Sequence, residues 1–278
     1  MRRPTPAQLR PGTAAVGAGV LVALSMPPWG WWPLAFLGLA IWEGLLAGQP
    51  RATRWRRTWL FSVGWFGPSM AWMWFLTAPG FPVAVALFGC YHATAMLAMP
   101  QRVGGPDPWR WLALPCALTA AEALRFSFPF GGVPLASLGI SQVAGPLAGL
   151  ARIGGVVLLT FVTAFIGTNL RSIIRFLRIR PIPALHDVSG RIAAIALVPA
   201  LVVLASMAPH GTGTGDFIDV TYMQGGGEQG TRAINTDPRL VVERHLEATR
   251  TFDGPTDLVV WPENVIDVLD FSTSVEHE

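Results

Sequence analysis

Phe128-Pro129-Phe130-Gly131-Gly132-Val133-Pro134, continuing through Ser137-Leu138-Gly139-Ile140-Ser141-Gln142 to Gly145-Pro146-Leu147, lies between two apolar segments of this chain. The run holds too much Gly and Pro for one helix, because proline removes a helical hydrogen bond and glycine costs backbone entropy. It is also too apolar for a free linker. A structured loop lying on or dipping into a membrane leaflet satisfies both constraints. The flanking segments agree: Trp109 to Arg125 precedes it and Ile153 to Leu170 follows it. Each is near the roughly 20 residues that a helix needs to cross about 30 Å of hydrocarbon.

Five more segments of this kind lie outward from the loop: Thr13 to Met26, Trp31 to Gly48, Thr58 to Ala78, Pro82 to Met99, and Ile192 to Met207. With 51% hydrophobic and only 13% charged residues and a mean hydropathy of +0.44, the 278-residue chain is too apolar for a soluble protein. About seven spans are expected. The first resembles a signal peptide, but no small-residue cleavage site follows it, and Pro27-Pro28-Trp29-Gly30-Trp31-Trp32 leads straight into the second, so it reads as retained. Prolines make that turn, and tryptophans mark the membrane interface.

Orientation follows from the arginines. One side receives Arg2, Arg3 and Arg10; Arg51, Arg54, Arg56 and Arg57; Arg102 and Arg110; and Arg171, Arg175, Arg178, Arg180 and Arg191. The opposite loops receive Arg125 and Arg152. Fourteen against two is a strong positive-inside signal. It places the amino terminus in the cytoplasm and everything beyond Met207 outside. The basic excess therefore speaks for a membrane, and no nucleic-acid partner is expected.

Beyond the last span the composition changes. Residues 209–215 read as a linker between a transmembrane domain, 1–208, and an α/β segment, 216–278. Phe217 to Gln224 alternates as a strand, Asp237-Pro238 opens a helix running to about Phe252, and Asp257 to Trp261 reads as a second, buried strand. Together they make a β-α-β unit. Pro262, which cannot donate to a ladder, stops the second strand and leaves Glu263 just past its end, where α/β folds place chemistry.

Trp261-Pro262-Glu263 resembles the segment of the nitrilase superfamily in which a strand-end glutamate is the general base beside a lysine and a nucleophilic cysteine. The Pro-Pro-Trp-Gly-Trp-Trp entry, Gly64-Trp65-Phe66-Gly67 leading to Trp72-Met73-Trp74, and the Phe-Pro-Phe-Gly-Gly and Ser-Leu-Gly-Ile-Ser-Gln loop resemble the membrane half of the apolipoprotein N-acyltransferase family. That likeness covers nearly the whole chain. It implies a polytopic α-helical membrane protein followed by the start of an extracytoplasmic αββα nitrilase-like domain.

The resemblance implies acyl transfer in the cell membrane. A cysteine thiolate takes a fatty acyl chain from a phospholipid, and the α-amino group of a diacylglyceryl-modified lipoprotein cysteine then accepts it. Glu263 takes the base role by motif. Met223-Gln224-Gly225-Gly226 resembles the family's Gln-Gly-Asn stretch with Gly226 in place of the asparagine, which leaves Gln224 as a candidate substrate contact; Gln229 also matches. The chain contains no lysine, and its cysteines, Cys90 and Cys116, both fall in apolar segments and read as buried small hydrophobes. Two of the three catalytic groups are therefore absent, and the chain reads as an amino-terminal part that is inactive alone. No cofactor is implied, and the histidines show no metal-ligand spacing.

Ionisable residues within the spans are candidates by position. Glu122 and Arg125, three apart, read as a self-paired couple near the outer end of their span. Glu43 and His92 read as single residues lining helix contacts. Arg171, Arg175 and Arg178 suit either topology control or anionic headgroups. Two other function classes remain open. One is a non-catalytic anchor joined to, or partnering, a polyprenol-phosphate mannose synthase. The other is a transporter, for which the chain lacks internal repeats.

Overall fold

The computed structural model describes residues 6–98, 110–129, 131–178, 185–209, 211–226, 237–263 and 265–266. Arg2, Arg3, Arg102, Phe130, Arg180, Gln229 and Asn264 lie outside them, as do the side chains of Arg10, Arg110, Arg175, Arg178 and Arg191. The chain divides into two compact units, Met1–His210 and Gly211–Glu278.

Eight helices make up the described part of the first unit: α1 (Pro6–Leu24), α2 (Pro33–Leu46), α3 (Arg51–Ser69), α4 (Met73–Leu76), α5 (Gly80–Ala95), α6 (Arg110–Arg125), α7 (Ala151–Arg178) and α8 (Leu185–Ser206). Seven of them occupy the seven apolar segments, with shifted bounds. The segment expected over Thr58 to Ala78 instead starts at Arg51, with Pro50 at the N-cap, and ends at Ser69, next to Pro68. The short α4 is separate. Among the described residues, one helical stretch, Ala148–Arg171, is long and apolar enough to cross a membrane by itself. Pro11–Leu24, Pro33–Leu46, Gly80–Ala95 and Ala196–Ser206 are apolar but shorter, so helix length alone does not yield seven spans. A mostly helical body of this composition suits a membrane protein.

Glycine lets α1 and α3 cross closely. A Cβ at Gly19 of α1 would stand 1.9 Å from Phe61 O, and one at Gly64 of α3 would stand 2.1 Å from Val16 O. Only hydrogen fits there. Close backbone approach replaces the hydrophobic drive that helices lack in lipid. Around this crossing lies a core with Trp42, Phe61, Trp65, Phe66, Phe88 and Leu118. Trp42 stacks on Phe61 at 4.8 Å and donates its Nε1–H to Thr58 Oγ1 at 3.2 Å. Helix α7 packs on α2 and α6 and is interrupted at Gly154 and Gly155, the latter with φ +65°.

The second unit holds β1 (Val220–Tyr222), α9 (Pro238–Arg250) and β2 (Leu258–Val260). The strands are parallel, in the register Val220 with Leu258 and Tyr222 with Val260. Asp237 caps α9 by accepting from Arg239 N at 3.0 Å, and Pro238 fills the first turn. Both strands are shorter than their sequence patterns. The expected burial of β2 is not found, since Leu258 and Val259 are exposed. The packing side runs through Val241, His245 and Met223, all buried, and through Trp261, whose indole donates to Thr249 Oγ1 at 3.0 Å.

Candidate functional site

Two places gather chemistry-bearing residues, one in each unit. In the first, α6 carries Glu122 and Arg125 three residues apart, so both side chains project from one face. They pair as expected: Arg125 Nη2 lies 2.9 Å from Glu122 Oε2, and Nε lies 3.0 Å from Oε1. They are not self-contained, however. His92 of α5 puts its Nε2 3.0 Å from Glu122 Oε1, and its Nδ1 lies 3.0 Å from Ser62 Oγ of α3. Reading His92 as single is thereby corrected: a polar side chain inside an apolar body seeks a partner, and Glu122 is in reach. His92 sits beside Trp65 and Phe66, with ring centroids at 5.0 and 5.2 Å. The Arg125 guanidinium lies 5.1 to 5.4 Å from the rings of Phe66, Phe88 and Phe126. His92, Glu122 and Arg125 are all within 1% of complete burial.

The loop that opened the sequence reading closes over this cluster. Arg125 Nη1 donates to Val133 O at 2.5 Å and Leu135 O at 2.6 Å, and Leu138 N donates to Glu122 Oε2 at 3.1 Å. Gly132 turns at φ +106°, where a Cβ would stand 1.9 Å from Phe126 O. Beyond it, 3-10 turns at Leu138–Gln142 and Ala148–Leu150 pack against α7. The loop is thus structured, as its composition predicts, and its Ser137, Leu138 and Gln142 are buried within the helical body.

Other candidates of the helical unit are placed differently. Glu43 is not single, because Arg171 Nη1 approaches its Oε2 at 3.9 Å. The expected burial of both cysteines is half right at most: Cys90 is partly buried and Cys116 is exposed. The reason is that α6 presents Glu122 and Arg125 inward and Cys116 on an outer face. No group of three or more metal-ligating side chains occurs among the described residues.

In the second unit, Gln224 and Glu263 follow the carboxyl ends of two adjacent parallel strands, and Met223 N donates to Val260 O at 3.0 Å. Both side chains are exposed. Gly225 abuts α9, where a Cβ would stand 2.7 Å from Arg244 C, and Gly226 takes φ +61°. Asparagine is among the few residues that tolerate this conformation. An asparagine could therefore occupy position 226 with less strain than most side chains.

Residues 18–168, which include the loop and its buried cluster, match the model of the apolipoprotein N-acyltransferase N-terminal domain. The chain belongs to the apolipoprotein N-acyltransferase N-terminal domain family. It is similar to proteins named apolipoprotein N-acyltransferase from Azotobacter vinelandii, 32% identical over 92% of this chain and 51% of that relative, and from Pseudomonas putida, 32% identical over 92% and 52%. A relative of the same name from Mycolicibacterium smegmatis is 30% identical over 93% of this chain and 47% of its own length. The chain thus spans about half the length of the N-acyltransferase relatives it matches.

Proposed function

We propose that this chain supplies the membrane body and the base-bearing β-α-β unit of an apolipoprotein N-acyltransferase. The observation that carries the reading is the family match across residues 18–168. It favours acyl transfer over a non-catalytic anchor of a polyprenol-phosphate mannose synthase. On this reading the body crosses the cell membrane about seven times with the amino terminus in the cytoplasm. Residues 1–208 form the transmembrane domain, 209–215 the linker, and 216–278 the beginning of a nitrilase-like domain outside.

Glu263 is the general base of the proposed reaction. It takes the thiol proton of a cysteine, the sulfur attacks the ester carbonyl of a phospholipid, and the lysophospholipid hydroxyl leaves with a proton. The α-amine of a diacylglyceryl-modified lipoprotein cysteine then attacks the thioester, and the thiol is returned as the amide forms. A lysine in the same centre stabilises the oxyanion. Neither that lysine nor a cysteine after Cys116 occurs in the 278 residues, so this polypeptide alone is expected to transfer no acyl chain. Gln224, on the neighbouring strand end, is the proposed substrate contact.

A chimera tests the reading. The 278 residues are joined to the part of the Azotobacter vinelandii relative that the alignment leaves uncovered. Acyl transfer from phosphatidylethanolamine to a diacylglyceryl lipopeptide is then measured. Activity that disappears in Glu263→Gln is expected. A folded chimera without activity, or one that keeps full activity after the substitution, refutes the assignment.

A further inference from the structure

Residues 133–137, which lead into the 3-10 turn at Leu138, lie against the helical body outside any helix, with Pro134 and Leu135 exposed and Ser137 buried. Ala136 there takes φ +52°, a conformation that a side chain disfavours. Where water is scarce, every backbone N–H and C=O of such a segment needs a protein partner. Side chains supply several of them. Arg125 Nη1 holds Val133 O and Leu135 O, Trp65 Nε1 donates to Ala136 O at 3.1 Å, and Glu122 Oε2 accepts from Leu138 N. Val133 N returns to Arg125 O at 2.9 Å, and Gly139 N reaches Thr160 Oγ1 of α7 at 3.2 Å.

Stability alone does not account for this arrangement. A buried ion pair gains little net energy over apolar residues of the same volume, because both charges lose their water. What the pair provides is geometry. The four acceptor positions of the Glu122 carboxylate are all used, by His92 Nε2, Arg125 Nε and Nη2, and Leu138 N. The planar guanidinium spans the carboxylate and two loop carbonyls at once, which a compact lysine ammonium cannot do.

We propose that Glu122, Arg125 and His92 form a latch whose role is to fix residues 133–137, and the start of the 3-10 turn at Leu138, in one shape against the membrane body. These three are positioning residues for the loop. His92 ties the latch to Ser62 on α3, so three helices set the loop's place. The claim goes beyond acyl transfer and stands whichever lipid the loop faces.

Hydrogen exchange on the intact 278-residue chain, in nanodiscs of phosphatidylethanolamine and phosphatidylglycerol, tests it. Arg125→Lys keeps the charge and loses the fork. Exchange of amides in 131–142 is expected to rise about tenfold or more, with amides of α1 and α2 within about twofold of wild type. Leu118→Ala, a core substitution in α6 outside the hydrogen-bond network, serves as the control and is expected to loosen the helices without singling out the loop. Should Arg125→Lys fail to fold, Trp65→Phe, which removes the donor to Ala136 O together with part of a buried ring, decides by the same comparison of loop amides with those of α1 and α2. The latch is overturned if loop exchange is unchanged, if it rises by the same factor as α1 and α2, or if Leu118→Ala reproduces the loop-selective pattern.

Discussion

His92 Nε2 lies 3.0 Å from Glu122 Oε1, joining two helices through side chains that are 0% and 1% exposed. The contact turns an i, i+3 pair on one helix into a network spanning α3, α5, α6 and the loop that follows α6. Removing the imidazole leaves Ser62 Oγ and one acceptor position of Glu122 unpaired, with a void beside Trp65 and Phe66. His92→Ala is expected to destabilise the first unit by roughly 2–4 kcal/mol. His92→Gln, which can still donate to Glu122, should lose less. Thermal unfolding of the detergent-purified chain measures both, and equal losses would argue against the hydrogen bond as the cause.

The Glu122 and Arg125 side chains should show strong coupling. Glu122→Leu strands a buried guanidinium, and Arg125→Met strands a buried carboxylate; each is expected to cost about 3–5 kcal/mol. The double variant removes both charges together and should cost less than the sum, and less than the worse single variant. Additive losses in a double-mutant cycle would show that the two do not act as a pair.

Periodicity and composition make the helical body legible from sequence, because seven apolar runs punctuated by Gly, Pro and Trp leave few alternatives. The β-α-β unit is legible from Asp237-Pro238 and from the turn residues around Leu258 to Trp261. Helix ends are less so: Pro50 and Pro68 move α3 away from the segment that hydropathy outlines. The Glu122–Arg125 pair is visible because local spacing announces it. Its link to His92, 30 residues earlier, depends on how α5 and α6 face one another, which no local pattern encodes. One available signal was that Ser62, His92 and Glu122 are polar residues within apolar segments. Such groups rarely remain unpaired.

Gly226 offers a separate test of backbone conformation in the second unit. It takes φ +61°, and a Cβ built there meets nothing within 4 Å, so any effect of substitution comes from the backbone alone. Gly226→Asn, which places there a residue that tolerates the left-handed region, is expected to cost a few tenths of a kcal/mol. Gly226→Val should cost about 1–2 kcal/mol, because a β-branched residue resists the left-handed region. Limited proteolysis between β1 and α9 reads the difference. Equal protection in the two variants would refute a left-handed backbone at this position.

Glu263 separates a catalytic from a structural carboxylate. It is exposed in a turn past β2, unlike the buried Glu122. Glu263→Gln should therefore change the unfolding midpoint of the 278-residue chain little, within about 0.5 kcal/mol. In the chimera with the Azotobacter vinelandii relative, the same substitution removes the proposed base, and acyl transfer is expected to fall by about 100-fold or more. Gln224→Ala, on the neighbouring strand end, should raise the lipid KM more than it lowers kcat if it contacts substrate. An unchanged rate in Glu263→Gln would remove this residue from the reaction, and a large loss of stability would make it a structural element of the β-α-β unit instead.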